Sequence, residues 1–306
     1  MPELPEVELY LRALRARILG QRLLRLRILS VSLLRTCDPA ASAFEGRAVR
    51  TIARLGKRIV LEFDGAHYAV IHLMIAGRLK WTGEGRGPEA RAHGGGKGKL
   101  PRTIHADFQF ENGDLTLMEA GTKKRASLHL LRGAEALAEL DRGGLEPLDA
   151  DLEDFRAALL RENHTLKRAL TDPRLFSGIG NAHSDEILFR AGLSPARRTR
   201  QLGEPEIARL HAVTRAWLRE AVDRLVAEAG DRFPGKLTAF HTMHAVHGRY
   251  GQPCPSCGAP VQRIVYAQNE TNYCARCQTG GRLLADRAFS RLLGEDWPRT
   301  LEELEG

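Results

Sequence analysis

The chain has 306 residues, 43% apolar and 27% charged, which suffices for about two domains with cores of their own and is unlike a disordered or fibrous composition. Lys and Arg total 46 against 38 Asp and Glu, a net charge of +8 and a pI near 9.5, which suits a polyanionic partner such as nucleic acid. No run of about 18 apolar residues exists, which excludes a membrane-spanning helix, and the acidic start Met1-Pro2-Glu3-Leu4-Pro5-Glu6 is unlike a secretory signal, so a cytoplasmic location is expected.

Residues 8–19 set Leu9, Leu11, Leu14 and Ile18 against Arg12, Arg15 and Arg17 at helical spacing, which predicts a first helix. From 22 to 131 the pattern turns to short alternating or β-branched runs at 58–63, 68–73, 108–110 and 115–118. Turn signals sit at Asp64-Gly65 and Asn112-Gly113, so a β-sandwich or barrel behind one N-terminal helix is expected. Residues 84–102, with Gly94-Gly95-Gly96, Lys97 and Lys99, read as a mobile loop. The connector around Gly143-Gly144 leads into a helical period through Leu159, Leu166, Leu170, Ile187-Leu188-Phe189 and 213–226. Short strands around Cys pairs follow at 246–286, then a short helix and an acidic tail. The fold class is α+β multidomain: an N-terminal helix and β-sandwich domain at 1–135, a linker at 136–150, a helical domain with a helix-two-turn-helix at 151–235, a zinc ribbon hairpin at 236–285 and a C-terminal extension at 286–306.

Cys254-Pro-Ser-Cys257 and Cys274-Ala-Arg-Cys277 are separated by 16 residues, the spacing of a zinc ribbon. Four thiolates fill a tetrahedron and leave no position for substrate, so one structural Zn2+ is expected. Arg249, Arg263, Arg276 and Arg282 flank this cluster, and such hairpins often present basic residues to a phosphate backbone. Cys37 stands apart and is expected to be buried without a role.

Residues 166–195 read as a helix over 167–176, a turn Ser177-Gly178-Ile179-Gly180-Asn181, and a second helix over 182–191. Asn181 lies where that helix begins, so its amide and the free N–H groups of the first turn suit a phosphate; Asn181 capping its own helix is the alternative.

The chain start carries a different chemistry. Initiator Met is commonly removed before a residue as small as Pro, which exposes the secondary amine of Pro2. A terminal amine has a reference pKa about 2.5 units below that of Lys, so roughly 300-fold more of it is neutral at pH 7. A neutral amine can attack a sugar carbon and form an iminium, and the adjacent Glu3 can protonate the ring oxygen. By itself such a terminus is usually just a solvated chain start.

In order, the chain presents Pro2-Glu-Leu-Pro-Glu-Val-Glu8, Gly56-Lys57 before a strand, Ile71-His72-Leu73, Ser177-Gly-Ile-Gly-Asn181 and Val246-His-Gly-Arg249 ahead of four Cys ending in Cys277-Gln278. This resembles the formamidopyrimidine-DNA glycosylase and endonuclease VIII family of base-excision repair enzymes over nearly the whole length. The resemblance implies a monomeric, bifunctional glycosylase acting on damaged duplex or single-stranded DNA. Pro2 would displace the damaged base and cut the strand by successive eliminations, with Glu3 as general acid, Glu6 supporting it and Lys57 contacting DNA near the lesion. Lys167 and Asn181 would grip phosphates beside an extruded nucleotide. Glu6 as a helix cap, Lys57 as a solvated strand start and His72 as a satisfied core residue are the structural alternatives.

The chain departs from that family in several places. The intercalating Met of the formamidopyrimidine branch is replaced by Ile75, with Met74 where that branch often has Gly. The Arg-Arg-Phe-Gly loop that fills the hole left by the base corresponds to Thr122-Lys123-Lys124-Arg125, cationic but without an aromatic. The ribbon Arg five residues before the third Cys is Asn269, and an uncharged amide contacts phosphate more weakly. The chain also runs 29 residues past Cys277. These changes predict intact strand cleavage with a shifted lesion preference. The competing class is a non-catalytic damaged-DNA-binding protein using the same helix-turn-helix and ribbon.

Overall fold

Helix α1 (Leu4–Ile18) begins before the periodic stretch 8–19. Pro5 lies in the first turn, where its missing N–H leaves no acceptor wanting, and the Glu6 carboxylate accepts the Glu3 backbone N–H at 2.7 Å, so the helix nucleates at the chain start. Val7, Tyr10, Leu11, Leu14 and Ile18 recur every three or four residues on the buried face. The structure is a computed structural model that describes residues 1–83, 103–120, 123–235, 237, 242–266, 269–285, 292, 294 and 298–305. The loop expected at 84–102 therefore lies outside the described residues, as do Thr122 and Gln268.

Eight strands follow: β1 (Leu23–Ile28), β2 (Val49–Leu55), β3 (Arg58–Phe63), β4 (His67–His72), β5 (Gly77–Thr82), β6 (Ile104–Phe110), β7 (Gly113–Glu119) and β8 (Ser127–Arg132). They make two antiparallel sheets, β2-β3-β4-β8 and β1-β6-β7-β5. Ile52, Ile59, Leu61 and Ile71 of the first sheet share one core with Leu79, Phe108, Phe110 and Leu117 of the second and with α1, which makes the expected sandwich. Val60, Tyr68, Val70 and Leu131 point to the opposite face, under Leu137 of the short helix α2 (Ala134–Ala138). Strand β3 is thus buried on both faces, Val60 on one and Ile59 and Leu61 on the other. The Asn112-Gly113 signal is displaced by one residue. The turn is Glu111-Asn112, and Gly113 already pairs with Phe110, because a Cβ there would lie 2.2 Å from the Trp81 ring.

The first unit comprises Met1–Arg142 with Val222–Thr238, and the second Gly143–Ala221 with Ala239–Gly306. Residues 136–142 and 222–235, which periodicity alone assigns to the linker and the helical domain, pack within the first unit. The second unit holds α3 (Leu152–Leu160), α4 (Leu166–Thr171), α5 (Asn181–Arg190) and most of α6 (Glu204–Ala229). Helix α4 is shorter than the expected 167–176: Thr165 caps it, and Pro173 forces Asp172 out of the helical region, to φ −77° and ψ 115°. The ribbon is the hairpin β9 (Val261–Tyr266) and β10 (Asn269–Cys274), followed by α7 (Ala275–Thr279), which Gly280 ends at φ 63°. Of the C-terminal extension, 298–305 are described and contain α8 (Leu301–Glu305). No helix among the described residues is long and apolar enough to cross a membrane.

Gly113→Ala forces the Trp81 ring to shift in the sandwich core and is expected to cost about 1–3 kcal/mol. Thermal unfolding checks this, and an unchanged Tm would contradict the close packing.

Candidate active site and metal centre

Antiparallel register gathers the first set of candidate residues. Arg58 of β3 pairs with His72 of β4, which pairs with Ser127 of β8, so one end of this sheet carries three connections. These are the Gly56-Lys57 turn, the Met74-Ile75-Ala76 turn and the segment 123–125 that leads into β8. Gly56 takes φ 62° while Lys57 stays at negative φ, as a two-residue II′ hairpin requires.

The chain-terminal amine sits in the field of Glu3, Glu6 and Lys57. Burial lowers the amine pKa of Met1 below its ordinary value, the two carboxylates work against this, and Lys57 adds to the lowering. Pro2 is buried too, and Glu3 and Glu6 are 3% and 0% exposed. Glu6 does serve as the helix cap, and it serves at the same time as a negative charge beside the amine. The structure therefore brings Glu3, Glu6 and Lys57 together at the amino end. His72 is not the satisfied core residue expected: its Nε2 is buried without a hydrogen-bond partner among the described residues. Burial, then Arg58, Lys57 and His129, push its pKa down to about 4, so the ring is neutral at pH 7.

Ile75 is 63% exposed at the tip of its turn, while Met74 holds a left-handed φ of 52° that favours Gly. Ile75 is accordingly the side chain available to wedge into a base stack. Lys123 and Arg125 are exposed. Lys124 instead donates from Nζ to the Glu119 carbonyl at 2.6 Å, and the buried Glu119 carboxylate accepts the backbone N–H groups of Arg125 and Ala126. That carboxylate, which the sequence reading missed, fixes the entry to β8.

In the second unit, Asn181 is the first helical residue, behind a Gly180 cap, and its Nδ2 donates to Asn269 Oδ1 at 2.9 Å. Asn181 thus pairs with the ribbon tip instead of capping its own helix. Lys167 Nζ is occupied: it donates to the Asn181 carbonyl at 2.7 Å and to Asp185 Oδ1 at 2.5 Å. Asp185, fully buried, also accepts His247 Nδ1–H at 2.8 Å and the Asn272 backbone N–H at 3.1 Å. Its neighbour Glu186 accepts the N–H groups of Ala245, Val246 and His247 at 2.9–3.0 Å and an Arg190 guanidinium N–H. Burial opposes ionisation of Glu186, but these donors outweigh it and hold the carboxyl below the ordinary range. The two carboxylates bolt α5 to the ribbon. Their mark in the sequence is an adjacent acidic pair directly preceding Ile187-Leu188, where a solvated helix face would be expected. Arg249 is half-buried and donates from Nη1 to the His244 carbonyl at 3.3 Å, so it braces the ribbon's entry.

The four Sγ atoms of Cys254, Cys257, Cys274 and Cys277 lie within 4.8 Å of one another, with 3.9 Å between 254 and 277 and 3.4 Å between 257 and 274. A tetrahedron of Zn–S bonds near 2.3 Å has edges of about 3.8 Å, so the donor set fits one zinc ion. Burial, then neighbouring sulfurs, push the Cys274 and Cys277 thiols up, and a cation is what such a cluster needs to ionise. Cys37, by contrast, is exposed, because the segment before Asp38-Pro39 carries no regular element to bury it.

Asp185→Ala removes the carboxylate from half-buried Lys167 and strands buried His247, and is expected to destabilise the second unit by about 3–5 kcal/mol. Urea unfolding is the check, and a loss below about 1 kcal/mol would contradict the bolt.

The Formamidopyrimidine-DNA glycosylase N-terminal domain family matches residues 1–125, its H2TH domain residues 144–229, and the zinc finger found in FPG and IleRS residues 251–280. The Formamidopyrimidine-DNA glycosylase of Thermus thermophilus is 36% identical over 291 residues, covering 92% of this chain and 100% of that one; the Bacillus subtilis protein is 31% identical, covering 91% and 99%. Among solved structures, the MutM (Fpg) protein from Thermus thermophilus superposes with a TM-score of 0.73 at 34% identity over 90% of this chain and 98% of that one. MutM in complex with carbocyclic 8-oxo-G containing DNA gives 0.77 at 26% identity, over 91% and 100%. A buried amino end between carboxylates, an α5 bolted to a four-thiolate ribbon and these matches along the whole length agree: the chain belongs to the formamidopyrimidine-DNA glycosylase family.

Proposed function

We propose that this protein is a bifunctional DNA glycosylase and abasic-site lyase of base-excision repair, acting on cytoplasmic DNA through the amine of Pro2 once Met1 is removed. The carrying observation is an amino end partly buried beside Glu3, Glu6 and Lys57, a place where burial lowers the pKa of the Met1 amine that occupies it. Relatives over almost the whole length are named as DNA glycosylases, which favours catalysis over a purely DNA-binding role.

The Pro2 nitrogen attacks the deoxyribose carbon that bears the damaged base. The base leaves with the bonding pair, Glu3 protonates the opening ring oxygen, and the nitrogen becomes an iminium. Loss of a proton from the adjacent sugar carbon expels the 3′ phosphate, and a second elimination expels the 5′ phosphate. Glu6 fixes the Glu3 backbone. Lys57, with Arg58 and the unpartnered His72 nitrogen beside it, makes this sheet end attractive to a phosphate. Zinc, bound by Cys254, Cys257, Cys274 and Cys277, supplies folding and no open coordination site.

The Asn181–Asn269 amide pair is the proposed phosphate contact of the second unit, with Asn269 in place of a cation. Ile75 is the proposed wedge, and Lys123 and Arg125 without an aromatic face the lesion strand, which favours a lesion range different from that of relatives with the aromatic loop. Lys167, itself held by Asp185, braces the Asn181 carbonyl.

Borohydride trapping on abasic DNA tests the chemistry. Processed protein gives a covalent adduct, Pro2→Gly weakens it by about tenfold or more, and its rate rises with pH until the Pro2 amine is fully neutral. A wild-type protein that binds but never traps would support the binding-only reading. For the brace, Lys167→Ala leaves the salt slope of DNA binding within a few tenths of wild type, whereas loss of a true phosphate contact reduces it by about one.

A further inference from the structure

The matched zinc finger ends at residue 280, and the segment beyond it returns to the ribbon. Leu283 N–H donates to the Arg299 carbonyl at 2.8 Å, Leu301 N–H donates to the Gly281 carbonyl at 3.0 Å, and Arg282 and Thr300 form an antiparallel bridge between them. Leu301 is 3% exposed and Leu283 7%, in one cluster with Val246, Val261, Tyr273 and the metal-ligating Cys254 and Cys274. The incoming strand is fixed from the other side by Leu284 N–H donating to the Tyr273 hydroxyl at 2.8 Å. The acidic tail after Leu301 is local structure: Glu303 accepts the Arg299 N–H at 2.6 Å, and Thr300 Oγ1 accepts the Glu303 N–H at 3.3 Å. That turn presents Leu301 inward.

From this geometry we infer that residues 299–305 are an intramolecular strap that completes the core of the zinc ribbon and slows loss of its metal. The inference rests on the zinc assignment above. A two-stranded hairpin with two CxxC knuckles has little apolar surface of its own to bury, and this strap adds a leucine and two backbone hydrogen bonds within six residues of the fourth thiolate. Opening the ribbon to a chelator therefore first requires undocking Leu301. Glu303 caps the strap's own turn, and the four thiolates alone make up the metal-holding cluster among the described residues.

The test follows zinc release from the full-length holoprotein into excess EDTA with a zinc-sensitive dye. Wild type carries one zinc per chain and releases it slowly. Removal of residues 299–306 speeds release by roughly tenfold or more, the factor a buried leucine corresponds to, and Leu301→Ala, which keeps the backbone bridge, speeds it several-fold. Glu302→Gln, at an exposed position, releases at the wild-type rate. Borohydride trapping is measured in parallel and is expected to survive Leu301→Ala while zinc remains bound. Wild-type release rates in both the truncated chain and Leu301→Ala overturn the strap. A full-length chain purified without zinc overturns the metal assignment, and the strap's role with it.

Discussion

The structure turns on a chain-terminal amine that is partly removed from water beside two buried carboxylates. Burial alone favours the neutral, nucleophilic amine, yet Glu3 and Glu6 pull toward the protonated form and Lys57 pulls back. The balance lands below the ordinary amine pKa for the Met1 amine, at an amino end that lies beside Glu3 and Glu6. Much else serves to hold this arrangement. Helix α1 buries Val7, Tyr10, Leu11, Leu14 and Ile18 in the sandwich, so the amino end is a fixed part of the core and not a frayed terminus.

The second unit solves a different problem with the same device. A ribbon hairpin and a six-residue α4 have too little apolar surface to fix their own positions. Adjacent buried carboxylates on α5 do it, Asp185 gripping Lys167, His247 and Asn272, and Glu186 gripping three successive backbone amides. The result is that two amides distant in the chain, Asn181 and Asn269, meet at 2.9 Å. On the proposed reading, a neutral pair of this kind would orient a phosphate with little counterion release.

Much of this was legible in the residues. The strands at 58–63 and 67–72 follow from apolar alternation and the Asp64-Gly65 turn, and the ribbon follows from thiol spacing, because both signals are local. The Pro2-Glu3 start stands out in the residues because an amino-terminal secondary amine would be unusual in itself, and the proposed chemistry rests on it. Long-range pairing was not. Nothing near Lys167 announces Asp185, 18 residues away, and a lysine in a helix-turn-helix reads naturally as a phosphate ligand. Pro173 was visible, yet its shortening of α4 was overridden by the apolar period through Leu175 and Phe176. The tail at 299–305 looked merely acidic, because the bridge that docks Leu301 depends on backbone groups that carry no sequence signature.

Peptide mapping of the borohydride-reduced adduct, with mass spectrometry of the amino-terminal peptide, tests the central claim most directly. The account predicts a peptide that begins at Pro2 and carries the deoxyribose remnant on its nitrogen. A remnant on Lys57, or an active protein whose peptide still begins at Met1, contradicts it.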